Sequence, residues 1–170
     1  MATPCSSSVT ELYLSLGSNL GDRHALLLKA IDLLARRVGP LVRASSFIET
    51  DPWGYNSNNR YLNAVVLLHT DLTPHQVLLV TQAIERELGR TTKTPPPSST
   101  PPSSTPSSAT PSSSPLPSYS DRPIDIDILL YGDLHLTTPE LTIPHPRMMQ
   151  RDFVLRPLRE IQLALSPSSL

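Results

Sequence analysis

The chain has 170 residues, a net charge of −1 and a hydrophobic share of 38%, the size and composition of one ordinary soluble domain. The near-neutral charge gives no basic field for nucleic acid, and no apolar run reaches the about 20 residues that a membrane helix needs. Cys5 is the single cysteine, which excludes an intramolecular disulfide and a cysteine-cluster zinc site. Residues 1–9 lack the features of a signal peptide and are expected to be a flexible tail on a cytoplasmic protein.

The first third of the chain predicts a strand, a helix and a second strand. Alternating residues favour a strand at Glu11–Leu16, which the turn Gly17–Asn19 follows. Asp22 is a suitable cap for a helix whose apolar residues recur at three- and four-residue spacing, and Gly39-Pro40 ends that helix. Residues 41–49 are then predicted to form the second strand.

The middle of the chain predicts a loop, a strand and a capped helix. Residues 50–59 are rich in Pro, Gly and Asn, which is typical of a loop. A third strand is predicted at Tyr61–Thr70. The pair Thr73-Pro74 is a strong helix start, and this helix is expected to end at Leu88-Gly89.

The segment from Pro95 to Ser118 contains only Pro, Ser and Thr except for Ala109 and Leu116, and it carries no charge. Such a composition buries too little apolar area to offset its ordering entropy, so we expect a disordered loop at 95–118. The prediction is one domain over residues 10–163 that this loop interrupts. Two separate domains are the alternative, which is disfavoured because the C-terminal piece is too short to form its own core.

Apolar residues and carboxylates alternate from Ile124 to Leu130, which predicts a half-buried strand. The even-numbered residues of this strand are expected to face the core, and Asp125 and Asp127 the opposite side. Two carboxylates on one face suit a divalent cation such as magnesium, and the preceding Arg122 has a guanidinium suited to phosphate oxygens. The alternative is a solvated strand face whose carboxylates pair with surface Lys or Arg.

The order of elements is βαββαβ, with a further helix expected between Met148 and Ile161. This order predicts an α+β protein with a ferredoxin-like split βαβ fold, in which helices pack on one face of an antiparallel sheet.

Seven segments of the chain resemble the 6-hydroxymethyl-7,8-dihydropterin pyrophosphokinases of folate biosynthesis. They are Leu16–Asp22, Thr50–Gly54, Tyr61–Asn63, Gln82–Glu85 with Leu88–Arg90, Asp121–Asp127, Thr142–His145 and Arg151–Phe153. Each segment alone is weak, but seven in register over about residues 11–163 are highly specific. The resemblance implies a ferredoxin-like α+β fold and transfer of the β,γ-pyrophosphate of ATP to the hydroxymethyl group of the dihydropterin, releasing AMP.

The resemblance also implies a set of site residues. Asp125 and Asp127 would hold two magnesium ions, and Arg90 and Arg122 would assist catalysis beside them. The residues that match nucleotide-binding positions are Gln82, Glu85, Arg122, Ile128, Thr142, His145, Arg151 and Tyr119. The residues that match pterin-binding positions are Asn19, Thr50, Pro52, Trp53, Tyr61, Asn63 and Phe153.

One departure from the family pattern lies between Arg90 and the carboxylate strand. Relatives have extra basic residues and a tryptophan in that loop, whereas this chain has Thr92 and Tyr119 at such positions and an uncharged segment between Lys93 and Tyr119. From the resemblance as a whole we expect a monomeric, ATP-dependent diphosphotransferase whose partners are small-molecule substrates rather than nucleic acid or membrane. The alternative is a catalytically impaired pterin- or nucleotide-binding module in which the Pro-rich loop serves as a partner tether.

Overall fold

The structure, a computed structural model, describes residues 9–53, 56–90 and 121–166. Its elements are β1 (Thr10–Ser18), α1 (Arg23–Arg37), β2 (Leu41–Ala44), β3 (Ile48–Thr50), β4 (Tyr61–Thr70), α2 (Pro74–Glu87), β5 (Asp125–Tyr131), β6 (Leu136–Thr137), β7 (Thr142–Ile143), a 3-10 turn (Met148–Gln150) and α3 (Asp152–Leu165). The predicted loop at 95–118, most of the predicted tail, Thr92 and Tyr119 lie outside the described residues. Within the described ranges, no helix is both long and apolar enough to cross a membrane.

The main sheet has the strand order β2-β4-β1-β5, and β3 also pairs with β4. All of these pairings are antiparallel. The predicted α+β class and ferredoxin-like order are thereby confirmed, because the first and third predicted strands are neighbours and the carboxylate strand pairs with the first. A separate two-stranded sheet of β6 and β7, which the sequence did not predict, follows β5.

Local capping residues set the bounds of α1 and α2. The Asp22 side chain accepts a hydrogen bond from the backbone N–H of Ala25 at 3.0 Å. Thr73 and Gln76 form a reciprocal capping box at the start of α2. Beyond the end of α2, Gly89 has φ +99, which is unfavourable for residues with a Cβ atom. Both helices therefore begin and end close to the predicted positions.

The predicted strand over residues 41–49 is divided into β2 and β3, and a serine explains the break. Ser45 donates its backbone N–H to the carbonyl of Val65 at 2.9 Å, and its Oγ accepts from the N–H of Val65 at 3.0 Å. The hydroxyl thus takes the place of a backbone carbonyl in the ladder, which interrupts regular pairing while leaving the buried backbone groups satisfied.

Helices cover both faces of the main sheet, so the prediction of helices on one face only was wrong. The even-numbered residues of β1, such as Leu14, pack with the buried sides of α1 and α2. Tyr13 and Leu67 belong instead to a second cluster with Val154 and Leu158 of α3. The third helix has its own apolar stripe, and the odd-numbered residues of β1 and β4 supply the surface that buries it.

The face of Leu130 was also predicted wrongly. The register between β1 and β5 shifts between Tyr13 and Leu14, which pair with Leu130 and Ile128 respectively. This bulge places Leu130 against the cluster beneath α3, whereas Ile128 packs toward α1 and α2. The carboxylates of β5 precede the bulge, and their alternation is as predicted.

Candidate active site

Three adjacent strands form the floor of the candidate site. In the pairing register, Gly17 of β1 lies between Asn63 of β4 and Asp125 of β5. Two residues earlier on β1, Ser15 pairs with Asp127. Because strand side chains alternate, these residues share one face of the sheet, the face that α3 covers in part.

A cleft opens above this floor at the N-terminal end of α3. It is lined by Ser15, Gly17, Thr50, Asp51, Trp53, Tyr61, Asn63, Arg122, Asp125, Asp127, Arg151 and Phe153. The cleft thus combines the two predicted metal carboxylates, two of the predicted phosphate-binding arginines and five of the seven predicted pterin-binding residues.

The absence of a side chain at Gly17 leaves room for the polar and aromatic groups of β4. A Cβ atom built at Gly17 would lie 3.0 Å from Oδ1 of Asn63 and 3.5 Å from Cδ1 of Tyr61. The Asn63 Nδ2 atom donates to Oγ1 of Thr50 at 2.8 Å, which fixes the direction of the amide. One end of the cleft therefore offers an aromatic ring beside an oriented amide and hydroxyl.

A buried ion-pair group adjoins the other end of the cleft. Arg90, only 7% exposed, donates from Nη1 to Oε1 of Glu85 at 2.6 Å and to Oδ1 of Asp125 at 2.5 Å. Glu85 is itself 2% exposed and accepts the backbone N–H of Ile126 at 2.8 Å. Burial alone would lower the pKa of Arg90, but the carboxylates of Asp125 and Glu85 outweigh it and raise the pKa.

Two further arginines face the carboxylates of β5. The Nη1 atom of Arg122 lies 3.5 Å from Oδ1 of Asp125, and Nη1 of Arg151 lies 3.9 Å from Oδ2 of Asp127. Both guanidinium groups lie on the cleft. They give this end a positive rim around two carboxylates, which is the charge pattern expected for a site that binds a polyphosphate with its metal.

Arg151 also contacts the aromatic end. Its guanidinium carbon lies 5.2 Å from the centre of the Trp53 ring and 5.6 Å from that of Phe153, both within the range of cation–π attraction. Its Nε atom is buried without a hydrogen-bond partner among the described residues. The side chain thus spans the two ends of the cleft.

His145 lies beside β5, close enough to Asp127 and Asp125 for their charges to affect its pKa. Its backbone N–H donates to the carbonyl of Leu129 at 3.0 Å, and its Nδ1 is 3.2 Å from the backbone nitrogen of Arg147. Burial lowers the pKa of His145, and the charge of Asp127 opposes that shift only in part. Since Nδ1 accepts the Arg147 N–H, the neutral ring carries its hydrogen on Nε2.

Asn19 lies behind the cleft rather than on its wall. It is 2% exposed, its Oδ1 accepts the backbone N–H of Arg122 at 2.7 Å, and its Nδ2 donates to Oδ1 of Asp121 at 2.7 Å. In this arrangement the Asn19 side chain fixes the position of the segment that leads into β5.

Several other predicted residues do not line the cleft. They are Pro52, Gln82, Glu85, Arg90, Ile128, Thr142 and His145. The Ile128 side chain is buried in the core on the α1 and α2 side, so only its backbone is available for a ligand. Gln82 is half-buried on α2, whereas Glu85 is enclosed by protein.

Ser15, Gly17 and Asp51 line the cleft without having been predicted as site residues. The parity of β1 was the available signal for the first two, because residues 15 and 17 must face opposite to the core residues Leu14 and Leu16. No comparable signal marked Asp51, since its position depends on the path of the loop after β3.

The donor set fits a magnesium ion better than a metal that needs a full protein cage. Among the described residues there is no group of three or more His, Cys, Asp or Glu side chains that could enclose a metal. Magnesium retains several waters and binds through one or two carboxylates together with substrate phosphates. Asp125 and Asp127, both partly exposed on the cleft, meet that requirement.

The sequence matches a known family over nearly all of the described elements. The model of the 7,8-dihydro-6-hydroxymethylpterin-pyrophosphokinase (HPPK) family matches residues 13–102 and 108–163. A Porphyromonas gingivalis protein named 2-amino-4-hydroxy-6-hydroxymethyldihydropteridine pyrophosphokinase is 48% identical over 159 residues, covering 93% of this chain and 95% of that protein. The Bacillus subtilis protein of the same name is 39% identical over 150 residues, covering 88% of this chain and 76% of that protein.

The fold is also found in solved structures. A crystal structure of a mutant Plasmodium falciparum HPPK-DHPS aligns with a TM-score of 0.63 and 16% identity, covering 92% of this chain. This chain spans only 41% of that longer protein, so the likeness concerns one part of it. At this level of identity the alignment supports the fold.

Proposed function

This chain belongs to the 7,8-dihydro-6-hydroxymethylpterin-pyrophosphokinase family, and we propose that it transfers pyrophosphate from ATP to 6-hydroxymethyl-7,8-dihydropterin in folate biosynthesis. The observation that carries the proposal is one cleft with two chemically different ends. One end is lined by aromatic rings and an oriented amide, and the other by carboxylates and arginines. A flat heteroaromatic with a hydroxymethyl arm and a metal-bound triphosphate match those two ends.

The aromatic end is the proposed pterin site. Tyr61 and Phe153 both line the cleft and offer their ring faces for stacking on the bicyclic ring. Asn63 and Thr50, joined by their hydrogen bond, present amide and hydroxyl groups to the donor and acceptor edge of the pterin. The remaining residues of this proposal are Asn19, Pro52 and Trp53.

The charged end is the proposed ATP site. Arg122 and Arg151 lie on the cleft and supply guanidinium groups for phosphate oxygens. Because its ring is neutral with a hydrogen on Nε2, His145 would donate a hydrogen bond to phosphate. The proposal also includes Gln82, Glu85, Ile128, Thr142 and, outside the described residues, Tyr119. Glu85 and Arg90, both buried, would act by orienting Asp125.

Asp125 and Asp127 would hold two magnesium ions. When bound, the metal supplies neutralisation of the charge that develops on the phosphate oxygens during displacement. The residues themselves have to keep two carboxylates ionised side by side, and the surrounding guanidinium groups of Arg90, Arg122 and Arg151 favour this.

In the proposed reaction, the hydroxymethyl oxygen of the dihydropterin attacks the β-phosphorus of ATP. A new bond forms between these atoms, and the bond from the β-phosphorus to the α,β-bridging oxygen breaks, so that AMP leaves. The hydroxyl proton passes to a nearby carboxylate, for which Asp127 is the candidate. The cleft contributes mainly by holding the two substrates in line, because phosphoryl transfer needs positioning and charge neutralisation more than covalent catalysis.

We also propose that the chain acts as a cytoplasmic monomer.

Phosphorus NMR of ATP, magnesium, dihydropterin and the protein tests the function directly. Appearance of AMP together with a pyrophosphorylated pterin is the expected result, and omission of the dihydropterin is the matched control. Unchanged ATP, with both substrates shown to bind by calorimetry, would favour the binding-module alternative. An Asp125→Asn and Asp127→Asn double variant should bind the pterin but form no AMP.

A further inference from the structure

Asp121, which lies four residues before the start of β5, accepts hydrogen bonds from two side-chain amides in different parts of the chain. Asn59 donates from Nδ2 to Oδ2 of Asp121 at 2.6 Å, and Asn19 donates from Nδ2 to Oδ1 of the same group at 2.7 Å. Both bonds are charge-assisted and short, which makes them stronger than bonds between neutral groups. Asp121 thus joins the loop before β4 to the end of β1.

These three residues lie next to groups on the cleft. Asn59 precedes Tyr61 by two residues, and Asp121 directly precedes Arg122. The backbone of Arg122 is held to Asn19 in both directions, because its N–H donates to the Asn19 Oδ1 at 2.7 Å and its carbonyl accepts the Asn19 N–H at 3.2 Å. A displacement of Asp121 would therefore be transmitted to Arg122.

The loop that carries Asn59 is also closed at its base. Arg60 donates from Nε to Oδ1 of Asp51 at 2.9 Å, and its carbonyl accepts from Nη1 of Arg23 at 2.7 Å. The first and last residues of the loop between β3 and β4 are thereby joined. The hydrogen bond from Asn59 to Asp121, together with a longer one of 3.4 Å from Asn19 Nδ2 to the Asn59 carbonyl, joins this closed loop to the segment that leads into β5.

We propose that Asn59 and Asp121 are positioning residues that couple the pterin end of the cleft to its phosphate end. The hydrogen bond between them sets the distance between Tyr61 and Arg122, and hence the alignment of the pterin arm with the β-phosphorus. The proposal rests on the proposed function for the identity of the two ligands. It assigns to Asn59 and Asp121 no contact with either substrate.

Exchanging the amide and the carboxylate between positions 59 and 121 tests the proposed coupling. Asn59→Asp places a carboxylate against Asp121, and kcat/KM should fall at least about tenfold, since misplacement of reacting groups by a fraction of an ångström is costly. Asp121→Asn should also lose activity, because Asn59 and Asn19 donate to different oxygens of Asp121, and the NH2 group that replaces one of them cannot accept a hydrogen bond. In the double variant, the amide introduced at position 121 would donate to the carboxylate introduced at position 59 and still accept from Asn19. Activity should then recover to within about threefold of wild type.

Asn58→Asp is the matched control, because it adds the same charge one residue away on an exposed side chain. It should leave kcat/KM unchanged. Wild-type kcat/KM in Asn59→Asp, or no recovery in the reversed pair, would overturn the proposal.

A binding measurement separates this proposal from the proposed activity. Calorimetry with a non-hydrolysable ATP analogue and magnesium should show that pterin and analogue strengthen each other's binding in the wild type, and that Asn59→Asp reduces this mutual effect. An equal mutual effect in the wild type and in Asn59→Asp would overturn the coupling even if turnover is observed. Loss of the mutual effect in the variant would support the coupling even if the wild type released no AMP.

Discussion

Arg90 and Asp125 form an ion pair in which the arginine is enclosed by protein and the carboxylate faces the cleft. Asp125→Asn would remove one of the two carboxylates that contact the buried Arg90 and leave that of Glu85. We expect the free energy of unfolding to fall by about 1–3 kcal/mol, the range for weakening a hydrogen bond to a buried charged group. Urea denaturation monitored by circular dichroism measures this change.

Asp127→Asn is the matched comparison, because its carboxylate lies 3.9 Å from the guanidinium of Arg151, a longer contact than that between Arg90 and Asp125. For this partly exposed side chain, the loss should stay within about 1 kcal/mol. Both variants should lose nearly all turnover. Equal stability losses would show that the Arg90 ion pair contributes no more to folding than the Arg151 contact, and retained turnover in the double variant would remove both carboxylates from the proposed metal site.

Trp53 provides a probe of the contact with Arg151. It is the single tryptophan of the chain, so emission excited at the red edge of the absorption band reports on this ring alone. In the structure the Arg151 guanidinium lies against the ring, and a triphosphate would attract the same guanidinium. We expect a non-hydrolysable ATP analogue with magnesium to change the Trp53 emission without any pterin.

Arg151→Met should abolish that spectral response while keeping a long side chain in the cleft. Arg156→Met, which replaces an exposed arginine of α3, is the control and should respond like the wild type. A full response in Arg151→Met would show that the emission follows some other change near the loop.

The sequence predicted the fold well where local signals and long-range pairing agree. The caps at Asp22 and Thr73 place their helices within a residue or two of the observed bounds, and the strand predicted at Tyr61–Thr70 has those bounds in the structure. The break at Ser45 and the bulge beside Leu14 were missed, because each depends on what a partner strand offers rather than on the residue itself.

In the candidate site, too, some features could be predicted from local sequence patterns and others depend on tertiary contacts. The shared face of Asp125 and Asp127 follows from strand parity, which the sequence contains. The burial of Glu85 does not, because an isolated helix gives no sign that Arg90 and the backbone of Ile126 will enclose its carboxylate. Likewise, the hydrogen bond from the Arg122 N–H to Asn19 joins residues 103 positions apart, and it forms only when the sheet has folded.

Phe153 tests the assignment of the aromatic end. Phe153→Ala should weaken dihydropterin binding by about 1–3 kcal/mol, the scale of burying or stacking one aromatic ring. Binding of the ATP analogue should change much less, although the contact of Phe153 with Arg151 allows a small effect. Calorimetry with each ligand separately makes the comparison. Equal losses for both ligands would mean that Phe153 serves mainly to pack α3.

Gly17 tests how the floor of the cleft is shaped. Its φ is not in the left-handed region, so Gly17→Ala fits the strand backbone, but the new Cβ would lie 3.0 Å from Oδ1 of Asn63. The amide must then move, which disturbs its bond to Thr50. We expect dihydropterin affinity to fall about tenfold, comparable to losing one hydrogen bond. Affinity for the ATP analogue should stay the same.

Asn63→Ala decides whether the effect of Gly17→Ala passes through the amide. If it does, the two substitutions act on one interaction, and the double variant should bind dihydropterin no more weakly than Asn63→Ala alone. If the losses add, the new methyl group must instead obstruct the pterin itself or shift Tyr61, whose ring is the next neighbour at 3.5 Å. Gly17→Ala should melt within a few degrees of the wild type, because Ala is compatible with this backbone and reduces the entropy of the unfolded chain.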